Sequence, residues 1–389
     1  MKAIVAKQVK TKPELALTDV PEPKLGHPGE ALVRVLAVGL DGTDREILQH
    51  GYGEPPEGET DLIIGHESLG VVLEAGAESG LAPGDLVTAL VRRPCHDPTC
   101  VNCRNGRADY CESGHYTERG IKGANGFLCE AYKEDARYLV KIPPECAPYG
   151  MLVEPQSIVE KVWDEAQHIQ QRLVWEPKTA LVLGSGPLGL LAALTCRTLG
   201  LETFVWSKSP NDSLPAQLVR RIGASYRPAS DDPSDTLTSF VRSTGRRIDL
   251  IIECTGYSPL AFEAIETLGP NGVLALLGVT PGSREIRIGA DLLSRELVLE
   301  NKCVIGSVNA SRKHFETAIY RLQRMERAYP GIFESILTER VTLDELPSFD
   351  FASTRIKAVV DVVHPSGWPD AGCEHAGGTG TGIKYSFSV

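Results

Sequence analysis

The pattern of apolar and polar residues changes near position 155. Before it, short apolar stretches rich in β-forming residues alternate with turns rich in glycine and proline. We predict strands at 31–38, 68–74 and 85–91, and the first residues, MKAIVAKQVK, as the start of another. The gaps between these strands are too long and irregular for a simple sandwich, so the loops are expected to carry functional residues.

Helical and strand patterns alternate in the second half of the chain. We predict helices at 157–173, 188–199 and 311–325, and strands at 179–183, 202–206, 249–253 and 272–277. Apolar runs of about five residues between helices indicate strands buried on both faces of a parallel sheet. The prediction is an α/β protein with a β-rich part and a doubly wound parallel sheet.

Domain boundaries follow from this change of pattern. We expect a β-rich domain at 1–156, a parallel-sheet domain at 157–308, and a segment at 309–389 that returns to the first domain and ends in a surface tail. The tail prediction rests on the glycine and threonine run at 377–382.

Composition limits the classes of function. The chain has 389 residues, of which 42% are hydrophobic, enough for two cores. The net charge is −11 and there is no long basic run, so no nucleic-acid partner is expected. No secretory signal or apolar stretch of membrane-spanning length is present, so we expect no membrane partner and a cytoplasmic location.

A glycine-rich loop lies between a predicted strand and a predicted helix. Gly184, Gly186, Pro187, Leu188 and Gly189 form the pattern G-x-G-x-x-G. The first glycine permits a tight turn, the second lets a pyrophosphate approach the backbone, and the third lets the helix pack on the strand. The helix N-terminus would then face the phosphates. A plain glycine-rich turn is the alternative.

The end of the next strand bears on the choice of cofactor. An acidic residue there would bind the ribose 2′-hydroxyl of NAD, but this chain has Ser207 and Lys208. A hydroxyl and a cation suit a 2′-phosphate, so NADP is favoured and NAD is kept as a second cofactor. A surface role for Lys208 is the alternative.

Four cysteines cluster in a short segment. Cys95, Cys100, Cys103 and Cys111 are separated by four, two and seven residues. Without a secretory signal, a metal site explains the cluster better than disulfides. Four thiolates form a closed tetrahedral site for structural zinc, and we name residues 93–113 the cysteine lobe. Free thiols in a loop are the alternative.

A second zinc site is indicated by scattered residues. His66 has Glu67 beside it, Asp41 follows a strand, and Glu154 precedes a proline at the domain boundary. One imidazole and two carboxylates, with one position open, can hold a catalytic zinc ion. Spacing alone leaves open that His66 is an ordinary core or surface histidine.

These motifs together resemble the zinc-containing medium-chain dehydrogenases, which join a GroES-like catalytic domain to a Rossmann domain. The resemblance covers about positions 1–363 and is most specific to the archaeal-type glucose 1-dehydrogenases. It rests on the segments 41–44 (DGTD), 92–95 (RRPC), 118–121 (ERGI), 138–143 (YLVKIP), 154–155 (EP), 301–302 (NK) and 306–309 (GSVN).

The resemblance implies roles for individual residues. Asp41, His66 and Glu154 match the catalytic zinc ligands, with Asp41 where most relatives have cysteine. Glu67 is expected as a further ligand, a partner of one, or a proton relay. The substrate residues are Thr43, Glu118, Glu154 and Asn309. The further cofactor contacts are Thr255, Leu277, Gly278 and Asn309.

The implied activity is oxidation of an aldose, with D-glucose favoured, at C1 to the lactone with hydride transfer to NAD(P). A dimer or tetramer joined through the nucleotide domain is also implied. Val91, Ile158 and Leu299 depart from polar residues of some relatives, the first cysteine gap is longer, and an arginine pair is missing, so the exact sugar stays open. The alternatives are a dehydrogenase of a polyol, another aldose or an amino-alcohol, a zinc-free reductase, and a non-catalytic NADPH-binding protein.

Overall fold

The computed structural model describes residues 1–11, 13–279 and 282–368, so the predicted tail at 377–382 lies outside the described residues. The strands of the first part are β1 (Lys2–Lys7), β2 (Glu14–Asp19), β3 (Glu30–Gly39), β4 (Leu62–Ile63), β5 (Glu67–Ala75), β6 (Leu86–Ala89), β7 (Arg92–Arg93), β8 (Thr117–Arg119), β9 (Gly123–Ala124), β10 (Ala131–Asp135) and β11 (Leu139–Lys141). Its helices are α1 (Gly42–His50) and α2 (Val101–Arg104), with 3-10 turns at Ala108–Tyr110, Ala136–Tyr138 and Pro144–Leu152.

The second part contains most of the helices. They are α3 (Val153–Gln170), α4 (Pro187–Thr198), α5 (Leu214–Arg221), α6 (Leu237–Thr244), α7 (Ser258–Thr267), α8 (Ala290–Leu299), α9 (Arg312–Ala328) and α10 (Ile332–Ile336). The strands are β12 (Thr179–Leu183), β13 (Glu202–Ser207), β14 (Ser225–Pro228), β15 (Leu250–Glu253), β16 (Val273–Leu276), β17 (Cys303–Gly306), β18 (Leu337–Thr342) and β19 (Lys357–Asp361). No helix in the described ranges is both long and apolar enough to cross a membrane.

The central strand of the first part is β3. Its sequence, EALVRVLAVG, is almost continuously apolar and largely buried. It pairs with β5 along one edge and with β10 and β19 along the other, in a seven-stranded sheet. Strands β18 and β19 come from the end of the described chain, and β19 pairs with β3 in this sheet.

The second part is built on six parallel strands in the order β14-β13-β12-β15-β16-β17. The first strand in sequence, β12, lies inside the sheet, so successive strands are added first on one side of it and then, from β15, on the other. Ligands bind at such a switch point, outside the carboxyl ends of the strands. Strand β12, TALVL, is wholly buried. The predicted α/β fold with a doubly wound sheet is confirmed.

Helix α3 differs from its prediction in a way that affects the site. It begins at Val153 instead of 157 and ends at Gln170 instead of 173. Pro155 did not delay the helix because an N–H in the first turn has no intrahelical acceptor, so proline costs little there. Glu154 therefore lies in the first turn of a helix.

The two parts share a continuous apolar core around α3. Leu69 and Leu86 of the first sheet belong to the same buried cluster as Val159 of α3 and Val182 of β12. Helix α9 packs along α3, and Arg321 of α9 donates to Glu160 at 2.8 Å in a pair almost excluded from solvent.

Removing the Arg321 side of this pair should destabilise the protein. We expect Arg321→Met to lower the free energy of unfolding by about 3 kcal/mol, because Glu160 stays buried without its cation. Arg246→Met, which breaks an exposed pair with Glu202, should cost less than about 1 kcal/mol. Urea unfolding followed by circular dichroism measures both, and equal losses would contradict a stabilising role for the buried pair.

Candidate active site

Asp41 is held at the start of α1 by two reciprocal hydrogen bonds. Its Oδ1 accepts from the backbone N–H of Asp44 at 3.3 Å, and its own N–H donates to Asp44 Oδ2 at 3.1 Å. Oδ1 also accepts from the backbone N–H of Thr43 at 2.7 Å. This capping box satisfies helix donors and fixes the Asp41 carboxylate. The second oxygen, Oδ2, accepts from the Thr43 hydroxyl at 3.2 Å and lies 3.6 Å from His66 Nε2.

His66 lies between β4 and β5 on a turn that the chain at Gly120 approaches closely. Gly65 has φ 85°, a conformation that favours glycine, and its N–H donates to Asp44 Oδ1 at 3.2 Å. A Cβ atom on Gly120 would lie 2.5 Å from the Gly65 carbonyl oxygen. The strand that ends just before Gly120, β8, is therefore held against the His66 turn, and it carries Glu118.

The predicted ligand residues converge. Candidate donor atoms of His66, Glu67 and Glu154 lie within 4.8 Å of one another, and so do those of Asp41, Asp44 and His66. Nδ1 of His66 is buried without a hydrogen-bond partner in the described residues. One imidazole with carboxylate oxygens is a donor set that suits zinc, so the residues present fit the predicted ion.

Electrostatic crowding supports this fit. Burial raises the pKa of Glu154 to about 8 and that of Asp44 to about 7, in each case together with the charge of Asp41. Burial opposes the charged form of His66, but Asp41, Asp44 and Glu154 outweigh it and raise the imidazole pKa well above its usual value. A bound divalent cation favours ionised carboxylates and neutral imidazole, the forms that act as ligands.

Two buried residues of the site were not found from the sequence. The Asp44 carboxylate accepts hydrogen bonds from the N–H groups of Asp41 and Gly65. Lys357 of β19 is fully buried and lies 2.7 Å from Glu67 Oε1, and it also donates to the Leu40 carbonyl oxygen at 3.0 Å. A lysine directly before three apolar residues of β19 was the only available indication of this contact, because Glu67 and Lys357 are 290 residues apart.

The cysteine lobe brings its four thiols together. Their sulfur atoms all lie within 4.8 Å of one another, in Cys95, Cys100, Cys103 and Cys111. The long first gap is closed by Asp97, whose side chain accepts from Thr99 N–H at 2.8 Å and whose carbonyl accepts from Cys100 N–H at 3.2 Å. Burial opposes the Cys111 thiolate, but Ser113 and the neighbouring thiols lower its pKa to about 6. The lobe thus offers the closed set of sulfur ligands that structural zinc requires.

Glu118 joins the first part of the chain to the second. Its Oε1 accepts from Arg92 Nε at 3.1 Å and Nη2 at 2.9 Å, and from Asn309 Nδ2 at 2.8 Å. Asn309 follows β17 and has φ 61°, which asparagine tolerates. The two predicted substrate residues, Glu118 and Asn309, are therefore in direct contact, and Arg92 is a further partner that the sequence did not single out.

The glycine-rich loop has the geometry of a phosphate site. Gly184 directly follows β12 with φ 105°, Gly186 is the N-cap of α4, and Pro187 is its first residue. A Cβ atom on Gly189 would collide with the Gly184 carbonyl, so only glycine permits this packing. Leu188 follows in the first turn, where the free N–H groups of α4 face the loop.

The ends of β15 and β16 lie beside this loop. Glu253 is buried and accepts from the N–H groups of Thr255 at 2.6 Å and Gly256 at 3.1 Å. Its carbonyl oxygen accepts from Leu277 and Gly278 at 2.9 and 3.1 Å. The structure therefore places Thr255, Leu277 and Gly278 together at the switch point of the sheet.

Lys208, just after β13, shares an aromatic contact with a second cation that the sequence did not reveal. Ser185 of the glycine loop donates to Ser207 at 2.8 Å. Lys208 Nζ lies 5.0 Å from the centroid of the Tyr257 ring, and Arg284 lies 4.6 Å from the same ring. Arg284 is 76 positions beyond Lys208, so only the fold brings these two cations to one aromatic side chain.

Three departures from the related sequences lie in different surroundings. Val91 is buried, and its carbonyl oxygen accepts from the backbone N–H of Arg119 at 2.9 Å. Ile158 is packed against the core from α3. Leu299, at the end of α8, is 72% exposed.

A doubly wound nucleotide sheet, a four-cysteine lobe and an imidazole-carboxylate cluster define a zinc-containing dehydrogenase of the medium-chain class. Residues 27–144 match the model of the alcohol dehydrogenase GroES-like domain, and residues 147–362 match the glucose dehydrogenase C-terminus. The second match covers more than half of the chain.

Curated relatives and solved structures agree with this class. The glucose 1-dehydrogenase of Methanocella arvoryzae is 41% identical over 86% of this chain and 92% of its own length. That of Haloarcula marismortui is 37% identical over 93% of this chain and 99% of its own. A structure of Haloferax mediterranei glucose dehydrogenase in complex with NADP, Zn and gluconolactone has a TM-score of 0.83 at 35% identity, covering 94% of this chain and 100% of that one. The chain belongs to the glucose 1-dehydrogenase family, which confirms the predicted class of enzyme.

Loss of one thiol should empty only the cysteine lobe. We expect Cys103→Ser to retain about one zinc ion per chain instead of about two, because a serine hydroxyl is a poor substitute for a thiolate ligand. Elemental analysis of dialysed protein measures this ratio. Cys303→Ser, outside the lobe, should keep both ions, and equal zinc contents in the two variants would exclude Cys103 as a ligand.

Proposed function

We propose that the chain oxidises the C1 hydroxyl of an aldopyranose, with D-glucose preferred, to the lactone. The C1 hydrogen leaves with its electron pair for the nicotinamide ring of NADP, and the hydroxyl proton passes to the protein or to water. Two observations carry the proposal: Asp41 and Glu154 each bring a candidate ligand atom within 4.8 Å of one on His66, and Glu118 contacts Asn309 across the two parts of the chain.

The metal ligands would be Asp41, His66 and Glu154. A zinc ion held there supplies a Lewis acid that makes a neighbouring hydroxyl more acidic. Thr43 is proposed to hydrogen-bond the reacting hydroxyl, and its present bond to Asp41 Oδ2 supports this position. Glu67 is proposed as the relay for the released proton, because its carboxylate lies among the ligand atoms and Lys357 fixes its orientation.

The sugar would be oriented by Glu118, Asn309 and Glu154. All three donors that reach Glu118 from Arg92 and Asn309 use Oε1, so Oε2 can accept from a sugar hydroxyl. A site that fixes hydroxyl groups with charged acceptors discriminates strongly against a sugar that lacks one of them.

The cofactor would lie along the switch point of the parallel sheet. Its pyrophosphate would meet Gly184–Gly189, and its nicotinamide half would pass Thr255, Leu277, Gly278 and Asn309. Lys208 and Arg284 both contact the ring of Tyr257. We propose that these two cations bind the 2′-phosphate together with Ser207. This pair of cations would take the place of the missing arginine pair.

The assembly and location are also proposals. Strand β17 pairs only with β16 among the described strands, so its other edge is open. Val304 on that edge is partly exposed, which supports a homodimer joined through the nucleotide sheets, with a homotetramer as the alternative. The described cysteines are free thiols, which supports the cytoplasm as the location.

A substrate panel tests the proposed reaction directly. With the zinc-loaded protein, D-glucose should reduce NADP faster than D-galactose, D-xylose or a polyol, and chelation should abolish turnover because the Lewis acid is lost. His66→Ala should lose turnover but still bind NADPH. Turnover of the polyol alone would move the assignment to a related dehydrogenase, and no turnover by the folded, zinc-loaded protein would overturn the proposal.

Replacement of the second cation tests the cofactor site. Arg284→Ala should raise KM for NADP about tenfold and change KM for NAD by less than about twofold, because only NADP carries the 2′-phosphate. Arg287→Ala is the matched control, since it removes an exposed arginine from the same segment. An equal rise of KM for NADP in the two variants would exclude a specific role for Arg284. Initial rates at saturating glucose measure both constants.

A further inference from the structure

Lys161 is a buried cation that the proposed reaction does not use. It lies on α3 with 1% of its side chain exposed. Its ammonium group donates to the Val308 carbonyl oxygen at 3.0 Å, lies 3.1 Å from Asp109 Oδ2, and is 4.0 Å from the centroid of the Tyr110 ring. Burying an ammonium group is costly unless its partners are well placed, so this arrangement calls for an explanation.

Asp109 connects this lysine to the cysteine lobe. It lies in the 3-10 turn Ala108–Tyr110, two residues before the zinc-ligand candidate Cys111. Its carboxylate also accepts from Arg107 Nε and Nη2 at 3.1 and 3.0 Å. Its backbone carbonyl accepts from Arg92 Nη1 at 3.3 Å. Asp109 of the cysteine lobe therefore contacts two cations, Arg92 and Lys161, that connect it to the proposed sugar site.

The contacts form a closed circuit. From Asp109, one arm runs through Arg92 to Glu118 Oε1. The other arm runs through Lys161 to the Val308 carbonyl, and the next residue, Asn309, donates to the same Glu118 oxygen. The circuit contains residues of the cysteine lobe, of β7 and β8, of α3, and of the segment after β17.

Each arm fixes one of the two proposed sugar contacts. Arg92 lies opposite Glu118 in the β7–β8 pair and holds the carboxylate from one side. Lys161 holds the peptide group immediately before Asn309, whose backbone has a left-handed conformation, and so sets the direction of its amide. Without the lysine, Val308 and Asn309 would lose the bond that ties them to α3.

We propose that Lys161 and Asp109 are positioning residues that couple the cysteine lobe to the Glu118–Asn309 pair and thereby set the affinity for the sugar. This inference rests on the proposed function and deepens it. It gives the lobe a role in substrate binding, in addition to holding its own loop together.

Kinetics of Lys161→Met test the proposal. We expect KM for D-glucose to rise about tenfold while the Kd of NADPH changes by less than about twofold, because the proposed contacts to the phosphates of the cofactor all lie outside the circuit. Glu118→Gln is the positive control for loss of sugar binding. Arg321→Met is the matched control, because it breaks another buried ion pair of α3 but lies outside the circuit. An unchanged KM in folded Lys161→Met, or an equal rise in Arg321→Met, would overturn the proposal.

Hydrogen exchange gives a readout that needs no catalysis. In Lys161→Met, peptides covering 107–111, 116–121 and 306–311 should exchange faster than in the wild type, whereas Arg321→Met should leave them protected. If the wild type does not oxidise glucose, the proposed function fails but this comparison still decides the coupling. If Lys161→Met does not fold, the double variant Lys161→Met with Asp109→Asn removes both buried charges, and unchanged exchange in these peptides would overturn the coupling.

Discussion

The structure depends on offsetting the negative charge of several buried carboxyl groups that surround one imidazole. Asp44, Glu67 and Glu154 are almost completely buried, and Asp41 is only partly exposed. Such a cluster is unfavourable unless cations and hydrogen-bond donors oppose it. The protein provides His66, Lys357 and the N–H groups of the α1 capping box, and the donor set fits a divalent cation as the remaining compensation. The positions of α1, β5, β19 and α3 all follow from the need to bring these groups together.

Helix α3 is the common support of the site. Its first turn carries Glu154, its middle carries Glu160 and Lys161, and its apolar face belongs to the core shared by both parts of the chain. A displacement of this helix would therefore move a candidate zinc ligand and the circuit to Glu118 at the same time. Packing against α9 and α4 restrains such a displacement, because close-packed helices resist small shifts.

Local patterns were sufficient to predict much of this architecture. Apolar runs predicted four of the six parallel strands, namely β12, β13, β15 and β16. The glycine loop was located because its residues are consecutive and their steric demands are local. The cysteines were also close enough in sequence to be read as one site. Asp44 and Lys357 were missed since their importance comes from burial beside residues up to 290 positions away. The start of α3 was misplaced because Pro155 reads as a break, although the first turn of a helix tolerates it. Arg284 carries no local pattern that distinguishes it from any surface arginine.

The ion pair between Glu67 and Lys357 has a consequence for how the chain is made. Asp41, His66 and Glu67 leave the ribosome early, but Lys357 and the strand that carries it are synthesised about 290 residues after Glu67. Until then β3 lacks β19 as a neighbour along one edge, and the acidic cluster lacks its buried ammonium partner. The parallel sheet, whose strands all lie between these two points, can pack during that interval. Assembly of the parallel sheet can therefore precede completion of the acidic cluster, which has its buried ammonium partner only when nearly all of the polypeptide is available.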